Sequence, residues 1–226
     1  MKSETALVVL SGGQDSITCL FWAKTQWKKL IAITFDYGQR HKIEIEAAKK
    51  AALLAGVSHH EIQNISSALI FSPSALTSNG DINLPHSRNS DLPASFIPGR
   101  NLLFLLTAAI FAYSKGIKDI VTGVCQTDYS GYPDCRWKTI NALENTLVLG
   151  MDYQFSIHTP LMWLSKKEEA KMAVDLPGCW QALAYSHTCY NGKYPPCGEC
   201  PACKIRANGF TEAGLEDPLI LRSLSE

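Results

Sequence analysis

One short run near the start of the chain has the residue types and order of a polyphosphate site: Leu10-Ser11-Gly12-Gly13-Gln14-Asp15-Ser16. It follows an apolar run, Ala6 to Leu10, and precedes a helical pattern from Ile17 to Lys28. A glycine turn that joins a buried strand to a helix start leaves free N–H groups at the positive end of the helix dipole, which makes an anion site. Gly12 and Gly13 let the backbone approach a ligand closely, and the Ser11 and Ser16 hydroxyls add donors. Asp15 suits the first helical turn but would repel a bare phosphate. Mg²⁺ between them, bridging carboxylate and phosphates, satisfies both. The run is not a Walker loop, which needs Gly-Lys-Ser/Thr, nor the dinucleotide fingerprint, which needs a third glycine.

The second constellation is Cys189, Cys197, Cys200 and Cys203, spaced C-x₇-C-x₂-C-x₂-C. Gly192, Pro195, Pro196, Gly198 and Pro201 lie among them, and the expectation is a set of tight turns rather than a regular helix. Four thiolates aimed at one point suit a closed, structural Zn²⁺ site. The rivals are an iron–sulfur cluster, whose ferredoxin form expects a further Cys-Pro after three residues where this chain has Ala207, and unligated cysteines.

The elements that must position these residues read as α/β. Leu30–Phe35 is a second buried strand, ending in Asp36-Tyr37-Gly38-Gln39-Arg40-His41. A helix follows with Ile43, Ala47, Ala51 and Leu54 on one face, capped by Gly56, and Val57 to Ile65 is a weaker strand. This βαβαβ opening predicts a parallel sheet with helices on both faces, in which ligands sit beyond the carboxyl ends of the strands. Asp36 would then share a rim with residues 11–16, either bonding a ribose or metal or serving as a turn residue. Residues 71–99, rich in Ser, Pro, Asn and Asp, read as a structureless mobile lid. Arg100 opens an apolar helix over 102–113, predicted to be buried centrally or in a dimer interface. A cation there opposes the dipole, so binding of phosphate or carboxylate is its expected role. After a strand at 118–124, the loop 125–136 holds Asp128, Tyr129, Tyr132, Asp134 and Arg136. The tyrosines could stack on a planar ring, and an aspartate could accept from a guanine-like N–H edge. Cys125 and Cys135 are either a redox pair or small buried residues. Ser165-Lys166-Lys167-Glu168 is a capping box, from which Lys166 or Lys167 could reach phosphates. His158 and His187 read as structural.

The chain has 226 residues and 46% hydrophobic content, enough for one substantial α/β domain with a small appendage. Lys+Arg and Asp+Glu are both 21, which argues against a broad nucleic-acid footprint. The start lacks a signal-peptide pattern, no apolar run reaches a membrane span, and half of the eight cysteines crowd the C-terminal region. A cytoplasmic, metal-binding protein is expected.

The Ser-Gly-Gly-x-Asp-Ser loop resembles that of the ATP-pyrophosphatase (pyrophosphate-loop) superfamily. With Phe35-Asp36-Tyr37-Gly38-Gln39, Pro98-Gly99-Arg100-Asn101, Ser130-Gly131-Tyr132-Pro133-Asp134-Cys135-Arg136, Thr159-Pro160-Leu161-Met162-Trp163 and the cysteine cluster, the chain resembles the 7-cyano-7-deazaguanine synthase family over about residues 6–210. The resemblance implies a Rossmann-like, adenine nucleotide alpha hydrolase-like α/β domain over 1–180 and a four-cysteine zinc-binding region over 181–226. It implies ATP-dependent conversion of a 7-carboxy-7-deazaguanine and ammonia to the nitrile in queuosine biosynthesis: adenylation of the carboxylate, amide formation, then a second ATP-driven activation that dehydrates the amide. It implies ATP binding by Leu10, Ser11, Gly12, Gly13, Gln14, Asp15, Ser16, Ile17, Thr18, Cys19, Leu20 and Asp36. Asp15, Arg100 and Lys166 would be catalytic, and Asp128, Tyr129, Tyr132, Asp134 and Arg136 would hold the deazaguanine. One structural Zn²⁺ per chain, Mg²⁺ with ATP, and a homodimer that binds neither nucleic acid nor membrane complete the expectation. The alternatives are a superfamily enzyme acting on tRNA, by thiolation or lysidine-type ligation, and a non-enzymatic nucleotide sensor.

Overall fold

The computed structural model describes residues 4–72, 74–78, 80–82, 84–127 and 131–226. The predicted opening is present: β1 (Thr5–Val9), α1 (Gln14–Gln26), β2 (Lys29–Asp36), α2 (Ile43–Ala55) and β3 (His59–Asn64). After a two-stranded ribbon, β4 (Pro85–His86) and β5 (Asn89–Pro93), come α3 (Arg100–Ser114), β6 (Asp119–Val121), α4 (Trp137–Met151) and β7 (Ser156–His158). The chain closes with α5 (Lys166–Asp175), α6 (Cys179–Leu183), α7 (Pro201–Ala213) and α8 (Pro218–Ser225). The main sheet has the order β3-β2-β1-β6-β7, and every pairing in it is parallel. The direction of strand addition reverses between β1 and β6, which makes the crevice above their carboxyl ends the topological switch point where ligands bind.

The strands are near-continuous apolar runs because both faces of the sheet are covered, with successive side chains pointing to opposite faces. Leu7, Ile31, Ile33, Phe35 and Ile120 pack with Leu105, Ala108, Ala112, Ile140 and Leu147 of α3 and α4. Ala6, Val8, Leu30, Ala32 and Val121 pack with α1, α2, α5 and α6. The C-terminal region shares these cores among the described residues: Cys189, Cys200 and Cys203 join the first and Leu183 and Phe210 the second. α2 ends on Gly56 at φ 73°, the left-handed cap expected of it. α5 starts on the full capping box, with Ser165 accepting from the Glu168 N–H and Glu168 accepting from the Ser165 N–H.

Two expectations are corrected. Residues 71–99 are not structureless: β4 and β5 pair antiparallel, and Ala75, Leu76, Ile82, Ala94 and Ile97 are buried in the first core. These isolated apolar residues pin a polar segment whose composition alone reads as loop. The helix at 102–113 is not central. It buries Leu105, Ala108, Ala109 and Ala112, while Leu102, Leu106, Ile110 and Tyr113 stay 37–56% exposed along the other face. None of the described helices is long and apolar enough to cross a membrane.

Candidate active site

The loops that leave β1, β2 and β6 at the switch point, together with residues 187–190, surround one cavity of about 270 Å³. Ser16 folds the glycine loop from within. Its Oγ accepts from the N–H groups of Ser11 and Gly12, both at 3.1 Å, and donates to Gly13 O at 3.1 Å. The Ser16 hydroxyl is therefore spent inside the loop, and the N–H groups of the first turn, Gln14 to Ser16, are what α1 presents to an anion. Gly12 lies at φ +87°, and a Cβ there would stand 2.1 Å from the Glu44 carbonyl oxygen, so this position is where α2 packs onto the loop. Gly12 O accepts from the His187 N–H at 2.9 Å, which ties the loop to the C-terminal region. At Gly123, just past β6, a Cβ would stand 3.0 Å from Ser16 N, so glycine is what allows β6 to close on the start of α1.

Asp15 lines the cavity, and its carboxylate accepts from the Lys166 ammonium at 2.6 Å. Lys166 also donates to Glu169 at 2.9 Å, and Glu169 is 2% exposed. Burial and the nearby Asp15 carboxylate raise the Glu169 carboxyl, against the pull of Lys166. Of the two lysines offered by the sequence, Lys166 faces the cavity and Lys167 is exposed.

Arg100 lines the same cavity. Its guanidinium lies 5.6 Å from the ring centre of Tyr37 and 5.9 Å from those of Phe104 and Tyr132, an aromatic box that favours a cation. Its Nε is buried with no hydrogen-bond partner among the described residues. Beside it, Glu44 accepts from Gln39 Nε2 at 2.9 Å. Burial pushes the Glu44 carboxyl up to about 7, while the Arg100 charge pulls it down. Gln39 also accepts from the Tyr37 N–H at 2.8 Å, so the Tyr-Gly-Gln turn is held by its own amide side chain.

The remaining expected site residues are distributed as follows. Ile17, Thr18, Cys19 and Leu20 are wholly buried beneath the loop, so they carry it rather than face the cavity. Leu10 and Gly12 are likewise behind the lining, and so is Asp36. Asp36 forms a turn, accepting from Gly38 N at 3.3 Å and from Lys42 at 2.6 Å, a pairing with Lys42 that lowers its pKa. Tyr132 is buried on the cavity wall with its hydroxyl 2.5 Å from Ser95 Oγ. Asp134 is turned away and accepts from the Asn101 N–H at 3.0 Å, fixing the first turn of α3. Arg136 is exposed at the start of α4, outside the cavity. Asp128 and Tyr129 fall outside the described residues. Cys125 and Cys135 both line the cavity, Cys135 as acceptor for Asn101 Nδ2 at 3.3 Å. His158 sits on β7, paired with Asp119 at 2.8 Å. Sequence reasoning missed Glu44, Glu169, Gln39 and Phe104. Only the close approach around Gly12 and the inward face of α5 reveal them.

The four cysteines converge: their Sγ atoms all lie within 4.8 Å of one another. Cys197 and Cys203 are 3.9 Å apart, close to the edge of about 3.8 Å that a tetrahedron of thiolates around zinc requires. The expectation of turns throughout is corrected at the end of the cluster. Cys200 caps α7 and Cys203 lies in its first turn, because Pro201 falls at the one helical position where a missing N–H costs nothing. Arg206, on the same helix and 4% exposed, binds Asp217 with two bonds at 2.6 and 2.8 Å and also donates to Ser186 and Thr188. That holds the 186–189 strap beside the glycine loop.

A parallel sheet with a Ser-Gly-Gly turn at its switch point, a cavity above that turn and a cluster of four cysteines define a pyrophosphate-loop α/β protein. Solved structures share the fold. A 4-thiouridine synthetase crystallised with RNA and bound ATP aligns with TM-score 0.54 and 15% identity, over 98% of this chain and 53% of that one. A predicted tRNA methyltransferase subunit from Methanocaldococcus jannaschii aligns with TM-score 0.50 and 17% identity, over 76% and 75%. The chain belongs to the family described as queuosine biosynthesis protein QueC, which matches residues 5–214. Its relatives include the 7-cyano-7-deazaguanine synthases of Chromobacterium violaceum, 53% identical over 100% of this chain and 97% of the relative, and Lysinibacillus sphaericus, 50% identical over 94% and 96%.

Proposed function

We propose that the chain converts 7-carboxy-7-deazaguanine, ammonia and two ATP to 7-cyano-7-deazaguanine. The observation that carries this reading is a single cavity lined both by the glycine loop and by the Arg100 aromatic box. The loop suits a polyphosphate and the box a flat, anionic ring. Neither a carboxylate nor an amide has a good leaving group, and adenylation supplies one. A carboxylate oxygen takes the α-phosphorus of ATP and releases pyrophosphate. Ammonia then adds at the carbonyl carbon and AMP departs with that oxygen, leaving the amide and a proton. The amide oxygen takes a second α-phosphorus, and loss of AMP with the nitrogen's protons leaves the nitrile. Such transfer is catalysed by positioning and charge neutralisation.

The residue roles belong to the same reading. N–H groups of Gln14, Asp15 and Ser16 bind phosphate, and Lys166 and Arg100 meet developing negative charge. Asp15 would hold Mg²⁺, whose charge offsets that of the phosphates; one carboxylate beside the glycine loop suits an ion that takes its other ligands from phosphate and water. Tyr132 walls the deazaguanine, with Asp128 and Tyr129 from the same loop. Cys189, Cys197, Cys200 and Cys203 would hold one Zn²⁺, a closed thiolate set with a structural role, within the region 181–226. The exposed row Leu102, Leu106, Ile110 and Tyr113 supports a homodimer, zero net charge argues against a broad nucleic-acid footprint, and four clustered thiols kept for metal fit a cytoplasmic enzyme. The test is incubation of metal-replete protein with Mg-ATP, ammonium and 7-carboxy-7-deazaguanine, followed by mass spectrometry. A nitrile product with AMP is expected. Formation of neither amide nor nitrile would overturn the reading.

A further inference from the structure

The cluster Asp15–Lys166–Glu169 has two carboxylates around one ammonium, with bonds of 2.6 and 2.9 Å. It lies at the edge of a cavity read above as a polyphosphate site, where a nucleotide's cation would compete with Lys166 for one of the two carboxyl groups. Asp15 is the one able to change, because its side chain is 30% exposed and faces the cavity. Glu169 cannot, because its side chain is 3% exposed and lies one helical turn from Lys166 on the inner face of α5. Its second oxygen, Oε1, is buried without a hydrogen-bond partner among the described residues, so Lys166 and the adjacent Asp15 are the groups its carboxyl faces. The backbone of α7 closes the other side: a Cβ on Gly209 would stand 2.6 Å from Lys166 Cβ. The capping box fixes the phase of this helix, sending Lys166 and Glu169 inward and Lys167 and Glu168 to solvent.

We propose that Glu169 is a positioning residue for the phosphate site, holding the Lys166 ammonium aimed at the β- and γ-phosphates when Asp15 leaves it for the nucleotide's cation. The proposal rests on the ATP-dependent reading above. Without Glu169, a lysine that is 12% exposed would lose the partner fixed one turn along its own helix as Asp15 turned away, and nothing on α5 would hold its direction.

The test compares equilibrium binding of Mg-ATP and of AMP by the unaltered chain, Glu169→Gln, Lys166→Met and the double variant, with melting temperature measured alongside. Removing a negative charge beside a polyanion would by simple Coulomb attraction tighten ATP binding. The positioning role predicts the opposite sign: Glu169→Gln weakens Mg-ATP binding tenfold or more and AMP binding less than twofold. It further predicts that the double variant binds Mg-ATP no worse than Lys166→Met alone. If Glu169→Gln does not fold, Glu169→Asp keeps the charge one methylene short of Lys166 and is expected to lose three- to tenfold for Mg-ATP. Unchanged or tighter Mg-ATP binding, equal losses for ATP and AMP, or a double variant whose losses multiply would each overturn the proposal while leaving the ATP-dependent reading intact. No binding of ATP by the unaltered chain would overturn both.

Discussion

Adjacent glycines in the phosphate loop should respond to the same substitution in opposite ways. At Gly12 the backbone lies at φ +87°, and an added Cβ would meet the Glu44 carbonyl oxygen at 2.1 Å and Ala48 N at 2.7 Å. Both obstacles are backbone of α2, so no side chain can swing aside. The left-handed conformation costs about 1–2 kcal/mol for a residue with a Cβ, and forcing a methyl into a packed contact adds about 1–3 kcal/mol. At Gly13 the φ is −79° and the nearest atoms to an added Cβ are 3.5 and 3.6 Å away, ordinary contacts. There the preference of helix N-caps for Gly over Ala is opposed by the entropy that Ala removes from the unfolded chain. Urea unfolding should therefore show Gly12→Ala losing about 3 kcal/mol, a fall of roughly 6–12 °C in melting temperature for a domain of this size. Gly13→Ala should stay within about 1 kcal/mol of the parent. Equal losses at the two positions, or a larger loss at Gly13, would refute the packing of α2 on the loop.

Glu44 should leave a signature in the pH dependence of stability. Its folded-state pKa of about 7 exceeds its ordinary value of 4.5, so between those values the folded chain binds a proton that the unfolded chain does not. Stability should then fall as pH rises from about 4.5 to about 7, by as much as roughly 3 kcal/mol, and Glu44→Gln should flatten that part of the profile. Arg206→Met leaves Asp217 without its ion-pair partner and should cost about 3 kcal/mol; Arg206→Met with Asp217→Asn, which keeps an acceptor for the Leu219 N–H at the start of α8, should recover part of the loss, and strictly additive losses would deny the pairing. Cys200→Ser should take bound zinc from one per chain to none, with a lower melting temperature; retention of one zinc by elemental analysis would contradict the four-thiolate site.

Much of this architecture was legible because local signals agreed with the global fold. The apolar runs at 6–10 and 30–35, Gly56 and the Ser165–Glu168 box each marked a boundary that the structure keeps. The cysteine spacing was legible too, since short-range spacing confines thiolates to one place. Segment 71–99 was not, because its anchors Ala75, Leu76, Ile82, Ala94 and Ile97 follow neither helical nor strand periodicity. Nor was the pairing of Glu44 with the Arg100 wall, or of Glu169 with Lys166 and Asp15: sequence places both acids on helix faces, and only the packing of α2 and α5 against the loop turns those faces inward. Asp134 shows the converse. It has the type and position of a ligand residue, yet its carboxylate serves the Asn101 N–H and orients Arg100 through the first turn of α3.

The central claim is that oxygen is activated by adenylation in the cavity above the glycine loop. It is tested most directly with 7-carboxy-7-deazaguanine carrying ¹⁸O in both carboxylate oxygens. Each activation transfers one of those oxygens to the α-phosphorus, so every AMP released on the way to nitrile should carry a single ¹⁸O, two labelled AMP for each nitrile. Label found in inorganic phosphate or in water, with AMP unlabelled, would contradict the account.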